Sequence, residues 1–219
     1  MQKIDLQAAN LSKQQERTWR WLQDNQLYGT QGMFLLEGKL EVDRLQQAIQ
    51  QGVQRYEILH TTFSVMPGME LPMQVIGHEI NVSCPLMNLQ SLDASAQQNV
   101  LVQQWEDLCH HAFDLEHGPL LYAILFRLDA EHHVLLMRMS ALCADTGTLK
   151  HFSQDILRLY SMLQQGTSLQ DEEDDDEDML QYIDVISWQN DLLTSEGRRN
   201  SRRSGLPLIF LIWTLCASP

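Results

Sequence analysis

Residues 137–149 hold the side chains of this sequence that are best placed for acyl or proton transfer. Ser140, Cys143 and Asp145 follow an apolar run and precede a helical pattern that begins at Leu149. Strand ends that lead through a turn into a helix are common functional positions in α/β proteins, because the turn presents side chains on a rigid scaffold. We therefore take this segment as the candidate site.

Cys143 is the one residue of the segment with a nucleophilic side chain that could be activated as an anion. A thiolate nucleophile needs a base or a cation nearby to lower its pKa, and His151 on the following helix is a candidate for that base. The pattern favours a structural thiol at Cys143, with a nucleophile as the alternative. Ser140 has no assigned base, and we interpret it as a small residue at the end of a strand.

Two pairs of histidines and an acidic run are further candidate sites. His110-His111 precedes Asp114 at a predicted helix end, where the helix dipole favours histidine, so we predict no catalytic role. His132-His133 lies in a predicted hairpin turn, and we expect both side chains to be exposed to solvent. The acidic run 171–178 lacks the alternation and the glycine of a calcium loop. No metal site is predicted.

The composition excludes some classes of function. The chain has 219 residues, 44% of them apolar, and a net charge of −14, which is unfavourable for nucleic-acid binding because that binding depends on Lys and Arg. Residues 206–217 are apolar but fewer than the roughly 20 that cross a bilayer, and residues 1–12 contain no apolar signal region. We therefore expect a cytoplasmic protein without membrane or nucleic-acid partners. Its cysteines should be reduced thiols: Cys84, Cys109, Cys143 and Cys216.

Hydrophobic periodicity predicts an α/β fold with a mixed, mostly antiparallel sheet covered by helices. The runs 120–128 and 133–139 are apolar on both faces and are joined by a short polar turn, so they should form a hairpin in the middle of the sheet. The predicted helices begin at Ser12 and cover 42–56, 93–112, 149–163 and 179–193. The other predicted strands are 33–36, 61–65, 73–76 and 80–83.

The C-terminal part changes character twice. The run 171–178 is purely acidic and predicts a solvated linker, and residues 179–196 contain a helical pattern. From Gly197 the sequence becomes basic and then apolar without regular phasing. Our hypothesis is that residues 197–219 are a non-family tail produced by a frameshift or a misplaced stop codon.

Five stretches between residues 11 and 193 carry motif-like patterns: LSKQQERTW (11–19), RYEILHTTF (55–63), FDLEHGPLL (113–121), SALCADT (140–146) and YIDVISWQ (182–189). In this order they resemble the LSxxQxxxW, RHExLRTxF, FDLxxGPLL, HHxxxDG and YxDYxxWQ motifs of the condensation domains of nonribosomal peptide synthetases. The resemblance covers residues 11–193. We call residues 140–146 the motif loop. The resemblance implies a chloramphenicol-acetyltransferase-like lobe at residues 1–170, which is the first of the family's two lobes and about half of the domain.

The resemblance also implies which positions matter for catalysis. Ser140 and Ala141 stand where the family has its two histidines, the second of which orients the attacking amine or takes its proton. Asp145 matches the motif aspartate, which is regarded as structural in the family and is held there by the arginine of the LRTxF stretch. In this sequence His60 occupies the position of that arginine. Thr146 stands at the motif glycine. Alanine can neither donate nor accept a proton, so the resemblance implies a site without its catalytic base.

Three functions follow from these positions. The first is a catalytically inactive condensation-like module that docks carrier proteins, other synthetase domains or a tailoring enzyme. Its substrates would be carried on the phosphopantetheine of partner carrier proteins, with no cofactor bound directly. The second is an acyltransferase that forms amide or ester bonds through another residue, such as Cys143. The third is a truncated gene product with no independent role.

Overall fold

A four-stranded and a three-stranded sheet form the framework of this computed structural model, which describes residues 7–24, 28–77, 80–166 and 180–193. The strands of this part are β1 (Gln7–Ala9), β2 (Gly29–Glu37), β3 (Thr61–Ser64), β4 (Met73–Ile76), β5 (Leu86–Asn88), β6 (Leu121–Arg127) and β7 (His132–Ser140). The helices are α1 (Lys13–Asp24), α2 (Val42–Arg55), α3 (Ala94–Cys109), α4 (Thr146–Gln165) and α5 (Tyr182–Leu193), and a 3-10 turn covers Glu57–His60.

The larger sheet has the strand order β2-β7-β6-β5, in which β5 and β6 are parallel and the other neighbours antiparallel. The predicted hairpin is confirmed as β6 and β7, at the centre of this sheet. Side chains alternate between the two faces of β7, so Leu135 and Met137 pack against α2 and α4 while Leu136 packs with residues of α3. Both faces are therefore buried, which explains the continuous apolar run.

The helix α2 packs against α4 on one face of the sheet, as its apolar stripe predicts. Gly52 lies at the contact, where an added Cβ would be 3.0 Å from the Phe152 ring. The glycine is therefore required by the close approach of the two helices. Nearby buried positions of α2 are Leu45, Ala48, Ile49 and Val53.

The smaller sheet has the order β1-β4-β3 and is antiparallel throughout. Strand β1 has no counterpart among the predictions. The predicted strand at 80–83 is wrong, because the side-chain amide of Gln50 takes the place of a neighbouring strand. Its Nε2 donates to the Ile80 carbonyl at 2.7 Å, and its Oε1 accepts from the Val82 N–H at 3.0 Å. The chain returns to a sheet only at Leu86.

Two further sequence expectations need correction. His133 was expected to be exposed together with His132. It is instead the second residue of β7 and only 1% exposed. His132 is exposed, as predicted, and its Nδ1 lies 2.8 Å from Asp129. The helix expected from Leu149 begins three positions earlier, at Thr146.

Other predictions fall partly beyond the described residues. The acidic run 171–178, Met179, the segment 197–219 and Cys216 all lie outside them. Cys84, Cys109 and Cys143 are free thiols. Within the described part, no helix is long and apolar enough to span a membrane.

Candidate functional site

The motif loop is a tight turn built on the last residue of β7. The carbonyl of Ser140 accepts hydrogen bonds from the N–H groups of Cys143 and Ala144, both at 3.0 Å. The N–H of Ser140 donates to the Leu120 carbonyl at 3.0 Å, and the N–H of Ala141 donates to the Tyr28 carbonyl at 3.2 Å. The loop is thus tied to its flanking segments by backbone hydrogen bonds, independently of the side chains at the histidine positions.

The two positions that correspond to the family's histidines carry no acid–base group. Ser140 is completely buried, and its Oγ accepts a hydrogen bond from the N–H of Leu142 at 3.3 Å. Ala141 is half-buried and presents only a methyl group. Neither side chain can accept a proton from an amine at neutral pH.

Asp145 is the N-cap of α4. Its Oδ1 accepts from the N–H of Thr148 at 2.7 Å and from the Thr148 hydroxyl at 2.8 Å. A carboxylate at this position satisfies a free N–H group and is stabilised by the helix dipole. Thr146, at the position of the motif glycine, is the first residue of the helix and is exposed. The aspartate therefore has a local structural role.

His60 does not take the place of the arginine that the resemblance leads one to expect. It ends the 3-10 turn, and its Nδ1 donates to the carbonyl of Gly77 just after β4. The N–H of Gly77 in turn donates to the His60 carbonyl at 2.9 Å. Both His60 and Asp145 belong to the described residues, and no hydrogen bond joins them.

Cys143 is held as a protonated thiol. Its Sγ donates to the Ser140 carbonyl at 3.2 Å and lies 3.9 Å from the Leu120 carbonyl. Burial raises the pKa of the Cys143 thiol to about 12, so almost no thiolate is present at neutral pH. His151, the candidate base, is exposed on α4, and no hydrogen bond connects it to Cys143. This geometry opposes a nucleophilic role.

A buried glutamine fixes the motif loop and was missed by the sequence analysis. Gln15 is 2% exposed, and its Nε2 donates to the Leu142 carbonyl at 3.1 Å and to Gln74 Oε1 at 2.9 Å. Its Oε1 accepts from the N–H of Ser12 at 2.9 Å, while Ser12 Oγ accepts from the N–H of Gln15 at 3.1 Å. The reciprocal pair is a capping box. The S-x-x-Q spacing was visible in the sequence and predicts the cap, but not the contact with the loop.

The same network connects α5 with the start of α1. The Tyr182 hydroxyl and Ser12 Oγ share a hydrogen bond at 3.1 Å, and Gln74 Nε2 donates to the Asn10 carbonyl at 3.0 Å. Burial raises the pKa of Tyr182, which keeps this hydroxyl neutral. Three of the family-like stretches, the ones containing Ser12, Leu142 and Tyr182, therefore meet at one place.

Arg138 is a second buried polar residue near the motif loop. It is 2% exposed, its guanidinium donates to the Leu108 carbonyl in the last turn of α3, and its Cζ lies 5.2 Å from the Phe113 ring centre. A cation is favourable at a helix C-terminus. Burial lowers the pKa of the arginine. The sequence signal was a single charge within the apolar run of β7.

The remaining histidines do not assemble a site with the motif loop. His110 caps the end of α3, with its Nδ1 2.8 Å from the Glu106 carbonyl. The ring of His111 lies edge-on to Tyr122, with the ring centres 4.5 Å apart. Asp114 contacts His117 and not the His110-His111 pair. Among the described residues there is no cluster of three or more His, Cys, Asp or Glu side chains that could hold a metal.

Comparison with known proteins gives the family. The family model described as "Condensation domain" matches residues 6–203. Tyrocidine synthase 2 of Brevibacillus parabrevis is 34% identical over 173 residues, which are 78% of this chain and 4% of that protein. The chondramide synthase of Chondromyces crocatus is 31% identical over 184 residues, 83% of this chain and 5% of that protein.

Solved structures show the same fold. The starter condensation domain of rhizomide synthetase superposes with a TM-score of 0.73 at 19% identity, covering 90% of this chain and 47% of that chain. The condensation domain from monacolin K polyketide synthase gives 0.71 at 17% identity, covering 91% and 41%. The chain thus spans about half the length of these solved domains. It belongs to the condensation-domain family of nonribosomal peptide synthetases.

Proposed function

We propose that this chain is a condensation-like module of nonribosomal peptide assembly that docks partner proteins and does not catalyse bond formation. The single observation that carries this proposal is Ala141 at the position of the proton-accepting histidine. A methyl group cannot take the proton that an attacking amine must lose.

The surroundings of Ala141 support the same function. Asp145, the carboxylate of the motif loop, is engaged in capping α4. The Cys143 thiol has a pKa raised to about 12 and two carbonyl contacts, so it is poorly suited to replace a histidine. Meanwhile the backbone of the loop keeps the hydrogen bonds that hold its shape. A framework retained without its proton acceptor fits a docking role.

The partners follow from the family. Relatives of this chain are large synthases, of which it covers only a few per cent, so other synthetase domains are the natural partners. We propose that they include a carrier protein whose phosphopantetheine bears the substrate, or a tailoring enzyme recruited to it. No cofactor bound by this chain itself is part of the proposal.

The test is an aminoacyl-transfer assay with the full chain joined to a second condensation lobe. Donor and acceptor carrier proteins are loaded with aminoacyl groups, and product formation is followed by mass spectrometry. We expect no product above the level without the chain, together with measurable binding of the loaded carrier protein.

The same assay tests the acyltransferase alternative. Product formation that is abolished by Cys143→Ala and kept by the control Cys109→Ala would overturn the non-catalytic proposal in favour of a thiol-dependent acyltransferase. Absence of both turnover and carrier binding would contradict both functions and favour the third possibility, a truncated gene product with no independent role.

A further inference from the structure

Helix α5 is attached to the rest of the fold by polar side chains at its beginning. The hydroxyl of Tyr182 shares a hydrogen bond of 3.1 Å with Ser12 Oγ, at the start of α1. Just before the helix, Gln181 Oε1 accepts from the N–H of Glu57 at 3.2 Å, and Gln181 Nε2 donates to the Arg55 carbonyl at 3.2 Å. These contacts join α5 to two separate places, the start of α1 and the end of α2.

Gln181 bridges a break in the backbone. The helix α2 ends at Arg55, Tyr56 is extended with φ −107° and ψ 103°, and the 3-10 turn begins at Glu57. At such a break, the last carbonyls of one helix and the first N–H groups of the next turn have no helical partners. The side-chain amide of Gln181 supplies one partner on each side. The docked α5 therefore completes this end of α2.

The apolar contact that accompanies these hydrogen bonds is small. Of the α5 side chains whose burial the structure describes, only Ile186 is fully buried, at 1% exposure. The helix α2, of similar length, buries Leu45, Ala48, Ile49 and Val53. An element with few buried apolar contacts opens locally at a lower free energy than the core does. We therefore expect α5 to open before the rest of the lobe unfolds.

A series of hydrogen bonds connects α5 to the motif loop. The Ser12 Oγ that bonds to Tyr182 also accepts from the N–H of Gln15 at 3.1 Å. Gln15 Nε2 donates to the carbonyl of Leu142 at 3.1 Å, in the middle of the loop. Ser12 and Gln15 are each 2% exposed, and hydrogen bonds in such a buried network strengthen one another. We call these four residues the α5–loop path.

We propose that α5 is a conformational latch, which orders the motif loop when it is docked on the lobe and loosens the loop when it is released. The two states are the docked helix of the structure and an open form without the Tyr182 and Gln181 contacts. Coupling between two sites is reciprocal, so a tightly held loop also favours the docked helix. A partner that binds only the docked helix orders the loop, and one that binds only the open form loosens it. The latch does not depend on whether the loop takes part in catalysis.

The first test follows amide hydrogen exchange of the full chain by NMR. Tyr182→Phe removes one oxygen atom and keeps the ring, so we expect the variant to stay folded. Exchange of the N–H groups of Cys143 and Ala144, which donate to the Ser140 carbonyl, should become about threefold to tenfold faster, the equivalent of one net hydrogen bond. Amides in the centre of β7 report global opening and should change less than about twofold.

Tyr160→Phe is the matched control for this variant. Tyr160 is 9% exposed, and its hydroxyl accepts from the N–H of Glu41 at 2.9 Å and from Gln164 Nε2 at 3.1 Å. The variant loses hydrogen bonds of the same kind, but outside the α5–loop path. Exchange in the motif loop, relative to the centre of β7, should therefore stay at the wild-type rate.

The second test separates a latch from a local contact. Gln181→Ala removes the hydrogen bonds to Arg55 and Glu57, neither of which belongs to the α5–loop path. If α5 docks and opens as a unit, this change should speed exchange both in α5 and in the motif loop. Gln189→Ala, at an exposed position of the same helix, should leave both unchanged.

Three results would each overturn the proposal. The first is exchange of the α5 amides only together with those of β7, because α5 would then have no open state of its own. The second is an unchanged motif loop in Tyr182→Phe, or in Gln181→Ala although α5 opens. The third is equal acceleration of the loop and of β7 in Tyr182→Phe, since that would be a general loss of stability.

Discussion

Gln15 Nε2 lies 3.1 Å from the carbonyl oxygen of Leu142 and joins the first turn of α1 to the middle of the motif loop. The contact is buried, and the same amide nitrogen donates its second hydrogen to Gln74 Oε1. Because both hydrogens and the amide oxygen are used, Gln15 is fully satisfied in a position where water cannot replace it. One side chain therefore connects a helix cap, a strand of the smaller sheet and the candidate site.

Truncation of Gln15 should destabilise the fold. Gln15→Ala leaves the Leu142 carbonyl and Gln74 Oε1 without a donor, and each unsatisfied buried group costs about 1–3 kcal/mol. We expect the free energy of unfolding, measured by urea denaturation, to fall by at least about 1 kcal/mol. Gln14→Ala, at an exposed neighbouring position, is the control and should have little effect. Equal stabilities for the two variants would show that the network contributes nothing.

Replacement of Asp145 separates its capping role from an interaction with His60. Asp145→Ala should lower the free energy of unfolding by about 1 kcal/mol, the usual loss for an N-cap, while Asp145→Asn keeps the acceptor and most of the stability. Since no hydrogen bond joins the two residues, the effects of Asp145→Asn and His60→Ala should add within about 0.5 kcal/mol. A larger coupling in the double-mutant cycle would contradict the arrangement seen here.

The reactivity of Cys143 provides a direct check on its chemistry. With a pKa raised to about 12 by burial, the thiol should be alkylated by iodoacetamide far more slowly in the folded chain than in urea. Peptide mapping by mass spectrometry gives the rate at each cysteine. Cys84, whose pKa burial also raises to about 12, is the internal comparison. Rapid alkylation of Cys143 alone, with the chain still folded, would contradict this expectation and support a nucleophilic role for Cys143.

The parts of the fold that could be predicted from the sequence are those with strong local patterns. The apolar stripe of α2 and the apolar runs of β6 and β7 predict the correct elements, because the spacing of their apolar residues matches the positions that are buried in the structure. The failure at residues 80–83 involves a side chain that acts at long range. Gln50 supplies hydrogen bonds to residues 80–82 that a strand would otherwise make. No pattern in the sequence around Gln50 indicates this role.

In the candidate site, too, local features could be predicted from the sequence and long-range contacts could not. Its position between β7 and α4 and the absence of a base at Ala141 could be predicted from a short motif. The roles of Gln15 and Arg138 could not, because each depends on a carbonyl that lies far away in sequence, at Leu142 or Leu108. Polar residues that satisfy distant backbone groups leave no periodic signal.

His133 should make the stability of this protein depend on pH. It is buried beside Arg127, whose Nε donates to His133 Nε2 at 3.3 Å, and its Nδ1 has no hydrogen-bond partner in the described structure. Burial and the Arg127 charge lower the pKa of His133 below its usual 6.5. The folded state therefore resists a proton that the unfolded state accepts.

The sign of the effect follows from that difference in pKa. Well above pH 6.5, from about pH 7.5 upward, the histidine is neutral in both states, and its contribution to stability is fully present. As the pH falls toward the lowered pKa of the folded state, the unfolded chain binds the proton first and stability is lost. His133→Leu removes the titration, so the free energy of unfolding should fall less steeply between about pH 7.5 and 5.5 than in the wild type. His151→Gln, at an exposed histidine, should keep the wild-type slope. Parallel slopes for wild type and His133→Leu would mean that the buried imidazole is not the group that titrates.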